Sequence, residues 1–353
     1  MNFTKILERW YEQNKRDLPW RRTRDPYRIW VSEIILQQTR IDQGTEYYLR
    51  FIEKFPDIHS LAEADEETVL KLWQGLGYYS RARNMHAAAR EIMALYHGKF
   101  PRTYDDIRKL KGVGDYTAAA IASIAFRIPS PVVDGNVLRF FSRYFGIHDP
   151  VDKAKGKAIV REKVKQLISH ENPGNFNEAI MEFGALLCKP VPDCKICPFK
   201  SGCKALRSDK ISSLPVKSKK QNQRIRFFHF LVITTRRKKD QYIFIKKRTE
   251  NDIWKNLFDF PLIERERDLS YKDLTGTKEW KDLFTGKKVE LLNISQPYPH
   301  ILTHQVIKAK FFHLEVSPQC HLPYPKVAIR DIRNYPVPKL IENYLEVIHD
   351  QLS

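Results

Sequence analysis

Four of the five cysteines fall within sixteen residues, Cys188-Lys-Pro-Val-Pro-Asp-Cys194-Lys-Ile-Cys197-Pro-Phe-Lys-Ser-Gly-Cys203. Prolines before Cys194 and after Cys197 remove backbone donors, so this stretch is a loop rather than a regular helix. Four thiolates on one short loop can close around a tetrahedral metal or an iron–sulfur cube. Lys189, Lys195, Lys200 and Lys204 suit a negatively charged metal–thiolate centre, and they suit phosphate equally well. Clustered thiols plus one odd cysteine, Cys320, argue against a secreted disulfide scaffold. The first residues, Met1 to Arg9, lack the apolar core of a signal peptide, and no stretch is apolar enough to span a bilayer. The expected compartment is the reducing cytoplasm.

The chain has 353 residues, enough for two cores, and a net charge of +19 from 61 Lys and Arg against 42 Asp and Glu. Such an excess makes nucleic acid the leading partner, because cationic side chains displace counterions from phosphates. Binding should therefore weaken steeply with salt. Residues 1–205 read as helices. Asp25-Pro26 has the form of an N-cap followed by a first-turn proline. Thr103 to Asp106 resembles a capping box for a short helix ending near Gly112. Residues 206–226 are polar and aperiodic and read as a linker. Beyond it, Phe228 to Thr235 and Tyr242 to Ile245 read as a hairpin, Val306 to Val316 as a further strand, and Pro338 to Gln351 as a closing helix. The layout is an all-helical domain followed by a smaller α+β domain over 227–353.

Several segments carry chemistry. In Leu110-Lys-Gly112-Val113-Gly114-Asp-Tyr116, two glycines permit a tight turn immediately before a helix. Its amides form an anion site that can grip a DNA backbone without reading bases. The helix–hairpin–helix expected here covers residues near 104–126. Asp134, between a short apolar run and a helix, reads on these residues alone as an N-cap. Glu33 lies on a helical wheel between Ile29, Trp30 and Leu36, an apolar stripe where desolvation raises a carboxyl's pKa. The alternative is a Glu that snorkels or pairs with an Arg. A protonated Glu and an ionised Asp in one cleft are the pair that breaks an N-glycosidic bond. The segment Gly75-Leu-Gly-Tyr78-Tyr79-Ser-Arg81-Ala-Arg83 offers aromatics and cations for wedging into a base stack. The competing reading is a core aromatic pair.

Together, the glycine hairpin, the Asp 20 positions after Gly114 and the four-cysteine loop at 188–203 resemble the helix–hairpin–helix DNA glycosylases of the endonuclease III superfamily. Leu18-Pro-Trp20-Arg21, Ser32 to Thr39, Gly75 to Asn84, Val133 to Val137 and Asn177 to Ala185 are similar to the MutY family within it. The resemblance implies an all-α helix–hairpin–helix glycosylase domain with an iron–sulfur loop, plus a C-terminal α+β Nudix-like domain. It implies release of adenine mispaired with 8-oxoguanine or guanine in double-stranded DNA, in base excision repair, by a monomer associated with the nucleoid. Glu33 would be the general acid and Asp134 the stabiliser of the sugar cation, with Tyr116 and Asn136 beside it. Trp20, Arg21 and Glu178 would line the adenine pocket. Gln38 and Tyr78 would fill the gap left by the flipped base. Cys188, Cys194, Cys197 and Cys203 would hold a [4Fe–4S] cluster.

One position decides between subclasses, and two loops depart from the family pattern. Tyr116 stands where lyase relatives carry an amine nucleophile, which implies a monofunctional enzyme. The Cys188–Cys194 gap has five residues where six are usual, so zinc stays open as an alternative centre. The family's lesion-probing Phe-Ser-His is Leu302-Thr303-His304 here, and no glutamate-rich pyrophosphatase box is present.

Overall fold

The computed structural model describes residues 2–218, 223–237 and 240–352. The chain divides into two compact units, residues 1–64 with 83–219, and residues 65–82 with 220–353. The helices in chain order are α1 (Phe3–Asn14), α2 (Pro26–Leu36), α3 (Ile41–Lys54), α4 (Ile58–Glu63), α5 (Glu66–Leu72), α6 (Ser80–Tyr96), α7 (Tyr104–Lys109), α8 (Asp115–Phe126), α9 (Gly135–Phe145), α10 (Ala154–Leu167), α11 (Pro173–Leu186) and α12 (Lys204–Arg207). Among the described residues, no helix is long and apolar enough to cross a membrane.

The first unit starts its helices where side chains can cap them. Asp25 accepts from the Arg28 N–H at 2.8 Å ahead of Pro26. Thr103 accepts from the Asp106 N–H at 3.1 Å and opens α7. Each cap satisfies a donor that has no partner within its helix. One core joins Leu7 and Tyr11 of α1, Phe140 and Phe141 of α9, Val160 and Val164 of α10, and Phe176, Ile180 and Phe183 of α11. Phe199, inside the cysteine loop, is 3% exposed and belongs to the same core, so the loop is anchored through its own apolar side chain.

The stretch expected to be a linker behaves differently along its length. Residues up to 218 pack on the helical unit: Arg143 donates to the carbonyls of Ile211 (3.1 Å) and Leu214 (3.0 Å), and the Val151 N–H donates to Val216 O at 3.0 Å. Polar composition concealed this, because the docking runs through backbone carbonyls and the buried Leu214 rather than an apolar period. The remainder of the expected linker includes residues 219–222, outside the described residues.

The second unit holds β1 (Arg224–Arg237), β2 (Asp240–Phe244), β3 (Lys246–Lys247), β4 (Phe258–Asp259), β5 (Leu262–Arg265), α13 (Tyr271–Thr275), α14 (Lys278–Phe284), β6 (Val289–Ile294), β7 (Tyr298–Ile301), β8 (Gln305–Val316), β9 (Lys326–Ala328) and α15 (Lys339–Leu352). Seven strands form one sheet with the path β6-β8-β1-β2-β9, β5 added to β1 and β7 to β8. The β1–β2 hairpin is antiparallel, as its pattern indicates, while β1 and β8 run parallel from Arg224↔Gln305 to Thr234↔Glu315. Leu231, Ile233, Phe312 and Leu314 bury one face of the sheet against Trp280 and Leu283 of α14. On β8, Phe311 stacks on Tyr344 of α15. Burial on both faces explains why β1 reads as a nearly unbroken apolar run.

Candidate active site

Glu33 is on α2, a helix buried almost all round, and is itself 8% exposed. Asp134 immediately precedes α9, and its Oδ1 accepts from the Val137 N–H at 2.7 Å. The N-cap reading of Asp134 is therefore correct, and the same carboxylate also faces a cavity of about 400 Å³ in the first unit. Glu33, Tyr116, Asn136 and Glu178 line that cavity with it. Trp20, Arg21 and Gln38 complete its expected residues, so eight residues from distant parts of the chain converge on one space. Trp20 is held edge-on to Tyr48, with ring centroids 5.4 Å apart.

The two acids differ in surroundings. Burial pushes the Glu33 carboxyl up to about 7. The Tyr116 hydroxyl and Arg21 pull it down, and the Glu178 and Asp134 charges push it further up. Burial also raises Asp134, opposed by hydrogen bonds from the Val137 N–H and from Asn136. Both Asp134 oxygens already accept, since Asn136 Nδ2 donates to Oδ2 at 2.8 Å. Hydrogen bonds to both oxygens stabilise the charged form, so they favour the anion at Asp134 against its burial. Asn136 is fixed in turn by Arg139, which donates to Asn136 Oδ1 at 2.9 Å, Gly184 O at 2.6 Å and Cys188 O at 2.7 Å.

Sequence reasoning missed several members of the site. Glu182 accepts bidentate pairs from Arg21, both at 2.9 Å, and from Arg16 at 2.9 and 2.6 Å. These bonds outweigh burial and hold its carboxyl down at about 2. Tyr11 donates to Glu178 Oε2 at 3.3 Å, and Tyr116 donates to Met181 Sδ at 3.3 Å. The available signal was helical spacing: Met181 and Glu182 lie three and four residues after Glu178, on one face of α11.

In the hairpin between α7 and α8, Gly112 has φ +79°, and a Cβ there would meet Asn84 Cβ at 2.6 Å. The Val113 N–H donates to Leu110 O at 3.0 Å, so this amide closes the turn instead of facing outward. Gly114 is the N-cap of α8, with open space beside it. Asp115 follows, paired with Arg108 at 2.6 Å and Arg161 at 3.5 Å.

In the second unit, Tyr78 is 44% exposed, and its hydroxyl lies 2.6 Å from Thr303 Oγ1. Leu302, Thr303 and His304 form the turn between β7 and β8, where the Leu302 N–H donates to Gln305 O at 2.9 Å. The aromatic pair divides: Tyr79 is core at 2% exposure, and Tyr78 faces out. Arg81, one of the cations in the segment expected to wedge into a base stack, donates to Gly77 O at 3.2 Å and lies over the Trp73 and Tyr78 rings. Its guanidinium is engaged by its own turn.

The four clustered cysteines are free thiols facing one cavity of about 30 Å³, walled by Phe140, Phe183 and Phe199. Arg143 Nη1 lies 3.7 Å from Cys188 Sγ and also donates to Lys189 O at 2.6 Å. Among the described residues, no three His, Cys, Asp or Glu side chains are gathered into a ready metal cage. Four thiols around one cavity, with a guanidinium at one sulfur, are a donor set suited to a thiolate-bound centre.

Residues 31–169 match the HhH-GPD superfamily of base excision DNA repair proteins, and residues 231–347 match the NUDIX domain. A thermostable thymine-DNA glycosylase superposes with a TM-score of 0.54 at 28% identity, covering 58% of this chain and 95% of that one. Fold and cavity thus define a DNA glycosylase with a Nudix-like second domain. The adenine DNA glycosylase of Buchnera aphidicola subsp. Schizaphis graminum is 32% identical over 351 residues, 98% of each chain. That of Buchnera aphidicola subsp. Baizongia pistaciae is 34% identical over 307 residues, 86% of this chain and 83% of the relative. The chain belongs to the adenine DNA glycosylase family of base excision repair.

Proposed function

We propose that this enzyme releases adenine paired with 8-oxoguanine or guanine in double-stranded DNA, leaves the abasic strand uncut, and works as a cytoplasmic monomer on the nucleoid. The observation that carries the reading is the shared cavity of Glu33 and Asp134, whose surroundings favour opposite protonation states. Glu33 gives its proton to adenine N7. The C1′–N9 bond breaks, its electron pair leaves with the purine, and positive charge develops on the deoxyribose beside the Asp134 carboxylate. Water then adds to C1′ and returns a proton to Glu33, so the net reaction is hydrolysis. Tyr116 and Asn136 hold the two acids, while Trp20, Arg21 and Glu178 bound the adenine pocket. Extrusion costs on the order of a few kcal/mol and less at a mispair. Gln38 and Tyr78 fill the vacated space, and Leu302, Thr303 and His304 probe the opposite base.

The amides around Gly112 and Gly114 take a phosphate. Tyr116 offers no amine for a Schiff base, which supports the monofunctional assignment. Cys188, Cys194, Cys197 and Cys203 would hold a [4Fe–4S] cluster. When bound, it would hold the basic loop in shape, since hydrolysis needs no electron transfer.

Single-turnover assays on duplexes pairing adenine or an oxidised pyrimidine with guanine or 8-oxoguanine test the reading. Adenine release from both purine mispairs is expected, without strand cleavage. Glu33→Gln and Asp134→Asn should each slow release by at least about 10²-fold while duplex binding survives. Full activity in both variants, or borohydride trapping of a covalent adduct at full yield, would refute it.

A further inference from the structure

We propose that Gln223 is a positioning residue for the turn Leu302–His304: its side-chain amide holds the two peptide planes that lead into Thr303 and His304, and so sets how sharply the enzyme separates 8-oxoguanine from guanine opposite adenine. The inference deepens the reading above and rests on that turn probing the opposite base.

Gln223 falls in the stretch whose composition reads as a linker, one residue before β1. Its Nε2 donates to Leu302 O at 2.9 Å and to Thr303 O at 3.4 Å. Both partners are carbonyl oxygens, so only the amino end of the side chain can face them, and its two protons serve one each. Among the described residues, no other donor reaches either oxygen. A peptide unit is planar, so a held carbonyl also fixes the N–H across the bond. Tying down Leu302 O and Thr303 O therefore sets the planes that enter Thr303 and His304, and with them the directions of both side chains.

The base of the turn has separate supports. The Leu302 N–H donates to Gln305 O at 2.9 Å, and the Arg224 N–H donates to His304 O at 3.2 Å. Arg226, buried and held by Glu264 and Asp252, donates to Gln305 Oε1 at 3.3 Å. These bonds close the β7–β8 connection without Gln223. Losing the Gln223 amide should loosen the tip of the turn and leave the sheet intact. The Thr303 hydroxyl lies 2.6 Å from that of Tyr78, so a loosened tip also releases the side chain assigned to the vacated space. Gln223 itself is exposed, where substitution rarely alters stability.

The test is adenine release by the full-length enzyme from 8-oxoguanine:A and G:A duplexes. Enzyme is in excess of DNA but below saturation, and the readout is the ratio of the two rates. Gln223→Glu keeps the shape of the side chain and removes its donors, whereas Gln223→Arg keeps donors. The two duplexes carry equal charge, so any change in phosphate attraction cancels in the ratio. Gln223→Glu should lower the ratio about fivefold, the scale of one net hydrogen bond, with the G:A rate and the thermal melt unchanged. Gln223→Arg should retain most of the ratio. In a Thr303→Ala/His304→Ala background, Gln223→Glu should change nothing further, because the side chains it positions are gone. A ratio that Gln223→Glu leaves in place while Thr303→Ala/His304→Ala lowers it overturns the inference alone, as does an equal loss in the Glu and Arg variants. A fall in both rates with a lower melting temperature would make Gln223 a support of the fold and overturn it too. A wild-type ratio near one, or a ratio untouched by Thr303→Ala/His304→Ala, overturns the assignment of the turn itself.

Discussion

Glu33 and Glu182 are buried carboxyls with opposite effects on stability. Glu33 has a folded pKa raised to about 7 from 4.5. Between those values the native state holds a proton that the unfolded chain releases, so stability falls as pH rises through that window. At pH 8 the cost approaches about 3 kcal/mol, and it is absent below pH 4.5. Glu33→Gln should therefore unfold at higher urea concentration than wild type at pH 8, match it at pH 4, and still lose catalysis. Equal midpoints at pH 8 would mean that the carboxyl is not desolvated. Glu182 is the reverse case, with its pKa lowered to about 2. Its contribution of about 3 kcal/mol is complete above pH 4.5 and fades as pH falls towards 2. Glu182→Gln leaves Arg16 and Arg21 without their carboxylate, and should cost about 3–5 kcal/mol at pH 7 in denaturant titrations. That loss should shrink on acidification. The burial of Glu33 was legible because its neighbours on the same helix are apolar. The role of Glu182 was not, because its partners lie 161 and 166 residues away in sequence.

At the scale of elements, Asp134 shows how one local structure serves two ends. Capping α9 fixes one carboxylate oxygen, and Asn136 in the first turn fixes the other. The cap was readable from sequence, whereas its convergence with Glu33 needed the packing of α2, α8, α9 and α11. Gly184 makes that packing possible. A Cβ on it would lie 2.7 Å from both Cβ and O of Asn136. Gly184→Ala should therefore push α11 from the start of α9 and disturb the Asn136–Asp134 bond. The expected result is about 1–3 kcal/mol of destabilisation, together with a fall in the single-turnover rate larger than the fall in duplex affinity. Unchanged rate and stability would show that the helices separate freely. The sheet was partly legible in the same way. The β1–β2 hairpin and β8 follow their apolar patterns, but the parallel pairing of β1 with β8 leaves no local signature, because it joins segments far apart in the chain.

For the molecule as a whole, the units do not follow chain order. Residues 65–82 lie in the sequence of the helical region but cluster with the C-terminal unit. Specific bonds account for this. Lys71 Nζ donates to Tyr335 O at 3.3 Å, Gln74 Nε2 to Glu342 Oε1 at 2.7 Å, and the Tyr79 hydroxyl to Val337 O at 3.2 Å. Lys247 pairs with Glu67 and Asn256 donates to Glu66, both at 2.5 Å. The periodicity of 65–82 is ordinary for a helical domain, so sequence could not reveal that its partners come after residue 220. A fragment ending at residue 218 keeps α5 but removes the C-terminal partner in every one of these bonds. It also removes Thr303, the partner of the Tyr78 hydroxyl. Amide hydrogen exchange should therefore show residues 65–82 losing protection in the fragment, while α9 and α11 keep theirs, since local opening follows lost contacts. Adenine release should fall with it, because Tyr78 loses the turn that orients it. Equal protection of 65–82 in fragment and full chain would mean that the helical region holds this segment by itself.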